Sequence, residues 1–248
     1  MKTILFLIIA MLVLMLTTSA KPRKEIVDKS IKDTIRLSQA NEEALIQITG
    51  IKGKSFNHPS FAIWLEDTSG NYIQDIYVTK YVSNGIFGHG YVKNGKWEKG
   101  QRLLPAALPV WMHKRVSKSG AKPLPPSPES PVVDAYTGAT PKNNFIVETQ
   151  LPSDISQKLK VYLELNQTWD WNDYWTNNKF PEDADYKTSS QPALVYCVTI
   201  DLNTSEAKNF ELLGHSHYSG KDGSINPDIS TITTAKEILL QLSIQIIK

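Results

Sequence analysis

A chain of 248 residues with a formal net charge of +2 and 41% hydrophobic residues can bury a sizeable core. It has no global field that would draw it to nucleic acid or to an anionic membrane. Its one cysteine, Cys197, cannot close an internal disulfide, so the core has to hold without one.

The N-terminus reads as an export signal. Lys2 is followed by an unbroken apolar run from Ile4 to Leu16 and a small-residue exit, Thr17-Thr18-Ser19-Ala20. That run of 13 residues suits a signal peptide and is shorter than the roughly 20 apolar residues a spanning helix needs. With cleavage near Ala20, the mature chain has no second run long enough to cross a bilayer. The expectation is a periplasmic or otherwise extracytoplasmic protein that does not span the membrane. Residues 21–42 are lysine-rich and weakly patterned, and residues 43–248 are expected to form a single domain.

Strand signals start after Glu43. "ALIQITGI" is β-branched and alternating, and "SFAIWLED", the turn "TSGN" and "YIQDIYVTKYV" form a hairpin. Alternation puts Ile73, Asp75, Tyr77, Thr79 and Tyr81 on one face of that last strand, and both of its faces are mixed in polarity. Residues 84–101, "NGIFGHGYVKNGKWEKGQ", read as a glycine-rich polar loop, and "LPAALPVWMHKRV" as a short extended stretch bounded by prolines. Residues 121–141 hold six of the fourteen prolines and read as extended and solvated. "NFIVETQL", "KLKVYLELNQT", "PALVYCVTIDL" and the closing "LSIQII" are further strands. Seven or more short strands separated by turns, with no long capped helix, predict an all-β fold. The expectation is an immunoglobulin-like β-sandwich with a long proline-rich loop inserted at 117–141.

Several groups of residues could carry chemistry. Cys197 lies inside "ALVYCVTI" with no surrounding His, Asp or Asn pattern, so it reads as an apolar filler rather than a nucleophile. "GHSH" places His215 and His217 two apart on one strand face, and with Asp222 they make a possible metal set, although nothing fixes a four-coordinate geometry. His58, His89 and His113 stand alone. "TWDWNDYWTNNKFPEDADY", residues 168–186, carries three tryptophans and two tyrosines. These aromatics, among them the residues 169–175, either stack on a sugar or a flavin, or send Trp169 and Trp171 into the core ahead of an acidic loop. No hydrolase constellation or phosphate-cradling glycine loop is present.

The most specific word is "DAYTGAT", Asp134 to Thr140, followed by Pro141. A D-x-x-[ST]-G-A-[ST] pattern arises by chance in roughly one chain in a thousand of this length. Thr140 supplies a hydroxyl, Gly138 and Ala139 keep the backbone slim beside it, and Asp134 offers a carboxylate. Asp134 and Thr137 would equally cap a turn leading into the next strand. The word resembles the recognition motif of exported proteins that receive flavin mononucleotide from a periplasmic flavin transferase. That resemblance implies a phosphoester on the last hydroxyl, Thr140, on an exposed and flexible segment. Pro141 departs from the pattern, because flavin-carrying domains of membrane redox pumps continue as a short helix there. Only these seven residues are shared with those domains.

A broader resemblance covers most of the mature chain. "PSFAIWLEDTSGNYIQDIYVTK", "DAYTGATP", "QPALVYCVTIDL" and "GHSHYSGKDGSINPDISTITTAK" are similar to a family of predicted periplasmic proteins, often found near flavin transferases and other membrane redox components. It implies an exported all-β domain in a redox setting and supplies no activity of its own. The expected function is redox or electron-transfer support with covalent FMN on Thr140, with Tyr136 or the aromatics at 169–175 packing the ring. The alternative is a cofactor-free envelope module that binds a metal, a glycan or a protein partner.

Overall fold

The computed structural model describes residues 28–37, 42–117, 120–122, 124–132, 136–152 and 154–247. The export signal, residues 21–27, Asp134 and Ala135 lie outside them. From Ile31 onward the chain makes one compact unit.

The strands in chain order are β1 (Asp33–Leu37), β2 (Glu42–Lys52), β3 (Ser60–Asp67), β4 (Tyr72–Thr79), β5 (Ile86–Lys93), β6 (Lys96–Gln101) and β7 (Tyr136–Gly138). They continue as β8 (Phe145–Pro152), β9 (Lys158–Asn166), β10 (Leu194–Asp201), β11 (Lys208–Asn209), β12 (Glu211–Ser216), β13 (Ile225–Asn226) and β14 (Leu239–Ile247). Two short helices, α1 (Lys80–Asn84) and α2 (Pro109–Val116), interrupt them. The first sheet runs β1-β8-β2-β14-β11, the second β13-β12-β10-β9-β3-β4-β7, and β5 pairs only with β6. Two sheets over a shared core make the fold an all-β sandwich. β1 falls within the segment that the sequence left outside the domain, yet it pairs in parallel with β8 from Asp33↔Phe145 to Leu37↔Thr149.

The first sheet buries one face. In β8, Phe145, Val147 and Leu151 point inward while Ile146, Glu148 and Gln150 are only partly covered, a period of two that the sequence carries plainly. These side chains meet Ile46 and Ile48 of β2, Ile244 and Ile246 of β14, and Phe61, Ile63, Val161 and Leu163 from the second sheet. Phe61 stacks between Tyr77 and Phe145, with ring centroids 5.1 and 5.4 Å away.

The second sheet is covered on both faces. A second core of Ala62, Trp64, Val78 and Val195 on its outer side packs against Ala107, Leu108, Val110, Trp111 and Met112. That is why β3 is buried along almost its whole length, and why β4 looked mixed on both faces. The expected sharing of one face by Asp75 and Tyr77 also fails for a local reason. Ile63 pairs with Tyr77 and Trp64 with Asp75, so Ile76 is an extra residue on β4. The bulge sends Tyr77 to the inner core and Asp75 to the outer one.

Residues 109–116 are helical, where an extended stretch was expected. Pro109 starts the helix rather than breaking it, since its missing N–H is one that a first turn leaves unpaired anyway. His113, Lys114 and Arg115 fill the last turn, where positive charge suits the helix dipole. The helix is held by three buried acids of the sheet beneath it. Glu164 of β9 accepts the Val110 and Trp111 backbone N–H groups at 3.1 and 2.7 Å. Asp75 accepts Trp111 Nε1 at 2.6 Å and Arg115 Nε at 3.1 Å. Glu66 accepts Trp64 Nε1 at 3.0 Å and Lys114 Nζ at 3.2 Å.

Residues 86–101 form a hairpin where a polar loop was expected. Its turn, Asn94-Gly95, has both φ values positive, at 51° and 72°, which matches the twist of paired strands. The proline-rich segment is irregular, as expected, but not wholly solvated. Val132 is buried and donates its N–H to Ser83 O at 2.8 Å, which lays the loop along α1.

Burial pushes the Glu164 carboxyl up to about 8, against the two N–H donors that favour its charged form. A proton held more tightly in the folded than in the unfolded state contributes stability that is complete below the unfolded value and lost as pH rises toward 8. The melting temperature should therefore fall between pH 5 and pH 8, by on the order of 5 °C, with a shallower slope in Glu164→Gln. Thermal unfolding at the two pH values checks this, and an equal slope in both proteins would contradict it. Glu164→Ala should cost about 2–4 kcal/mol, because it leaves two buried N–H groups unpaired.

Candidate functional site

The middle of the DAYTGAT word, Tyr136–Gly138, folds as the edge strand of the second sheet. β7 pairs in parallel with β4, matching Tyr77↔Tyr136, Val78↔Thr137 and Thr79↔Gly138. The Tyr77 hydroxyl donates to Ala139 O at 3.1 Å. A Cβ on Gly138 would stand 3.1–3.2 Å from the Tyr77 phenol, so the slim backbone expected there serves close packing on Tyr77. Thr137 and Ala139 are exposed. The expectation that this word stays out of regular structure is thus corrected for its middle residues.

Thr140 lies just past β7, where the chain leaves the second sheet for β8 of the first. It is buried, with 9% of its surface accessible, so the expected exposure of the acceptor is corrected too. Its hydroxyl donates to the Tyr81 hydroxyl at 3.1 Å. Tyr81, on α1, also accepts from Ser60 Oγ at 3.4 Å and directs its own proton toward the carbonyls of His58 and Pro59 at 3.2 and 3.1 Å. Burial raises the Tyr81 phenol above its ordinary value, so this neighbour holds its proton and cannot act as a base toward Thr140.

The ring of Tyr81 lines a cleft of about 710 Å³, counted with its solvent-open mouth. Phe87, Gly88 and His89 of β5 line it together with His58, Ser60, Arg102, Leu104, Thr168, Trp169 and Thr188. His89, Trp97 and Trp169 stand 6.0–6.2 Å apart, centroid to centroid, as a mutual triad. Arg102 reaches over Trp97 at 5.8 Å. Trp97 and Trp169 leave 45% and 53% of their surfaces exposed. Among the described residues three that are not glycine have positive φ, namely His58 (53°), Asn94 and Trp169 (64°). Asn94 belongs to the hairpin turn, and the other two both line this cleft. Such a conformation costs a bulky side chain of order 1–3 kcal/mol, so the surrounding structure imposes it.

The remaining expected site residues are scattered. Tyr136 contributes its backbone to β7, and Asp134 lies outside the described residues. The aromatic stretch is not a strand, and its members divide. Trp171 and Trp175 pack with Tyr186 in the main core, while Trp169 and Tyr174 stay exposed.

The metal set does not assemble. His215 is buried, with Nδ1 donating to Ser216 O at 2.7 Å and its ring against Trp175. His217 falls beyond the end of β12, stacks on Tyr218 at 4.4 Å and accepts the Ser219 N–H on Nδ1. Asp222 is held below the usual carboxylate range by hydrogen bonds from Ser224. Among the described residues no three His, Cys, Asp or Glu side chains converge to hold an ion. Cys197 sits partly buried in β10 with its thiol raised by burial, as a filler would be.

Sequence reasoning missed Tyr81, Ser60, Phe87, His89, Trp97 and Arg102, which come together only in three dimensions. Reading Asn94-Gly95 as a hairpin turn would have placed four of these aromatic and basic residues near each other. No family model matches the chain, and no curated protein matches it. Among the described residues no helix is long and apolar enough to cross a membrane. Fold and site together define an all-β sandwich with an aromatic cleft beside a buried threonine hydroxyl.

The Tyr81–Thr140 contact can be measured. A double-mutant cycle with Tyr81→Phe and Thr140→Val should give a coupling of about 0.5–1.5 kcal/mol in urea unfolding. Strict additivity would show that the two hydroxyls do not interact.

Proposed function

We propose that this is an exported, periplasmic flavoprotein that carries flavin mononucleotide as a phosphoester on Thr140 and passes electrons to or from membrane redox components. The reading also takes up the likeness to predicted periplasmic proteins found near flavin transferases. The observation that carries it is the position of the Thr140 hydroxyl, bonded at 3.1 Å to a tyrosine whose ring lines the aromatic cleft. A flavin esterified there begins its tether at the cleft.

A phosphoester anchors the cofactor where a dissociable flavin would be lost outside the cell. In the attachment step the Thr140 oxygen attacks the flavin-side phosphorus of a phosphoanhydride donor. The new P–O bond forms as the anhydride P–O bond breaks, and the other phosphate leaves. The hydroxyl proton needs a base, and Thr140's neighbour Tyr81 is not one, so the base and donor come from a periplasmic flavin transferase.

Access is the second requirement. Thr140 is buried, so the transferase has to meet the word with β7 released from β4. That strand is three residues long and forms the edge of its sheet, and short edges open at low cost. Release also breaks the Tyr77–Ala139 and Tyr81–Thr140 hydrogen bonds.

Co-expression with a flavin transferase, export and tryptic digestion should yield the peptide spanning residues 119–142 with one added flavin mononucleotide. The addition should persist in Thr140→Ser and vanish in Thr140→Ala. An unmodified peptide, or an addition that survives Thr140→Ala, rules the reading out.

A further inference from the structure

We infer that the cleft between β5 and the 168–169 turn is a non-covalent seat for the isoalloxazine ring of a flavin. The choice of occupant rests on the attachment reading above, but the seat itself is defined by its walls. Trp169, His89, Phe87 and Tyr81 offer aromatic surfaces to one space, and Tyr81 and Phe87 lie 5.4 Å apart as its inner corner. A flat, extended ring system buries its faces on such surfaces, and stacking of this kind is worth about 1–3 kcal/mol per ring in nucleotide-binding proteins. Arg102 in the lining supplies a cation for an electron-rich or anionic edge.

Two further features separate this cleft from an ordinary surface hollow. Among the described residues, both non-glycine residues held at positive φ outside a hairpin turn, His58 and Trp169, stand on it. The fold therefore keeps a half-exposed indole at the cleft in an unfavourable backbone conformation. The cleft also reaches the acceptor through a single side chain. The Tyr81 ring is wall, and its hydroxyl is the partner of Thr140 Oγ1. A ring tethered through a phosphate and a short flexible chain on that oxygen can fold back onto Trp169 and His89. A sugar would also stack on one indole. The several aromatic surfaces converging with an arginine favour the larger planar ring.

The test uses a chain that cannot be esterified. The full exported protein carrying Thr140→Ala is titrated with riboflavin and, separately, with flavin mononucleotide, following flavin fluorescence. Saturable quenching with both is the expected result. Adding Trp169→Gly should weaken binding about tenfold, equivalent to about 1.4 kcal/mol. That substitution relieves the positive φ as it removes the indole, so the protein should melt no lower, and lost binding cannot be assigned to unfolding. Leu240→Ala on β14, exposed and absent from the cleft lining, should leave binding unchanged.

Absence of saturable quenching, or equal quenching in the Trp169→Gly chain, overturns the seat. So does saturable binding of an oligosaccharide such as maltotriose without flavin binding. Failure of attachment reads differently. If the wild-type peptide stays unmodified in cells while the Thr140→Ala chain binds riboflavin, the seat stands and covalent tethering falls. If the peptide is modified and no variant binds free flavin, the reverse holds.

Discussion

The clasp of Glu164 on the first turn of α2 is the constraint from which the rest of the molecule follows. A carboxyl group at the centre of a sheet is costly unless its oxygens are paired, and here both accept backbone N–H groups of one helix. With Asp75 and Glu66 it fixes α2 against the outer face of the second sheet, so that Trp111, Val110 and Met112 close a second core. The segment leading into that helix passes through Arg102, whose N–H bonds Gly85 O at 2.9 Å, and Leu104, which accepts the Ala107 N–H at 3.1 Å. Both residues line the aromatic cleft. Anchoring the helix thus also positions one side of the candidate site.

The other side is organised by Tyr81. Its hydroxyl joins three segments that are remote in sequence, residues 58–60 at the entry to β3, its own helix α1, and Thr140 after β7. A buried hydroxyl with every partner satisfied is rigid, and it ties the acceptor word to the cleft wall. This creates a tension between the two states that the proposed function needs. The hydrogen bonds that hold Thr140 beside the cleft also hide it from a modifying enzyme. A three-residue edge strand is where such a sheet opens at the least cost.

Much of the scaffold was legible from the residues. The strict alternation of β8 follows directly from a sheet with one buried face, and the Gly-Asn turn marks the hairpin of β3 and β4. Elsewhere long-range packing overrode local pattern. β3 and β4 carry apolar residues on both faces because a helix covers the side that a simple sandwich would expose, and one extra residue at Ile76 moves Asp75 away from Tyr77. Pro109 reads as a breaker until the first-turn position makes it an initiator. "GHSH" reads as a metal pair, but β12 ends between the two imidazoles, sending one into the core and the other onto Tyr218. The acceptor word was visible as a word. Its burial and its neighbour Tyr81 were not, since nothing local links residue 81 to residue 140.

What emerges is a sandwich with one buried threonine hydroxyl, just past a three-residue edge strand, bonded to a tyrosine that lines an aromatic recess. The central claim is that this hydroxyl holds flavin through a covalent bond. In-gel fluorescence of the denatured, exported protein produced with a flavin transferase tests it most directly, because unfolding removes every non-covalent contact. A fluorescent band in the wild type that is absent in Thr140→Ala is the predicted result. A dark wild-type band, or equal fluorescence in both, would contradict the account.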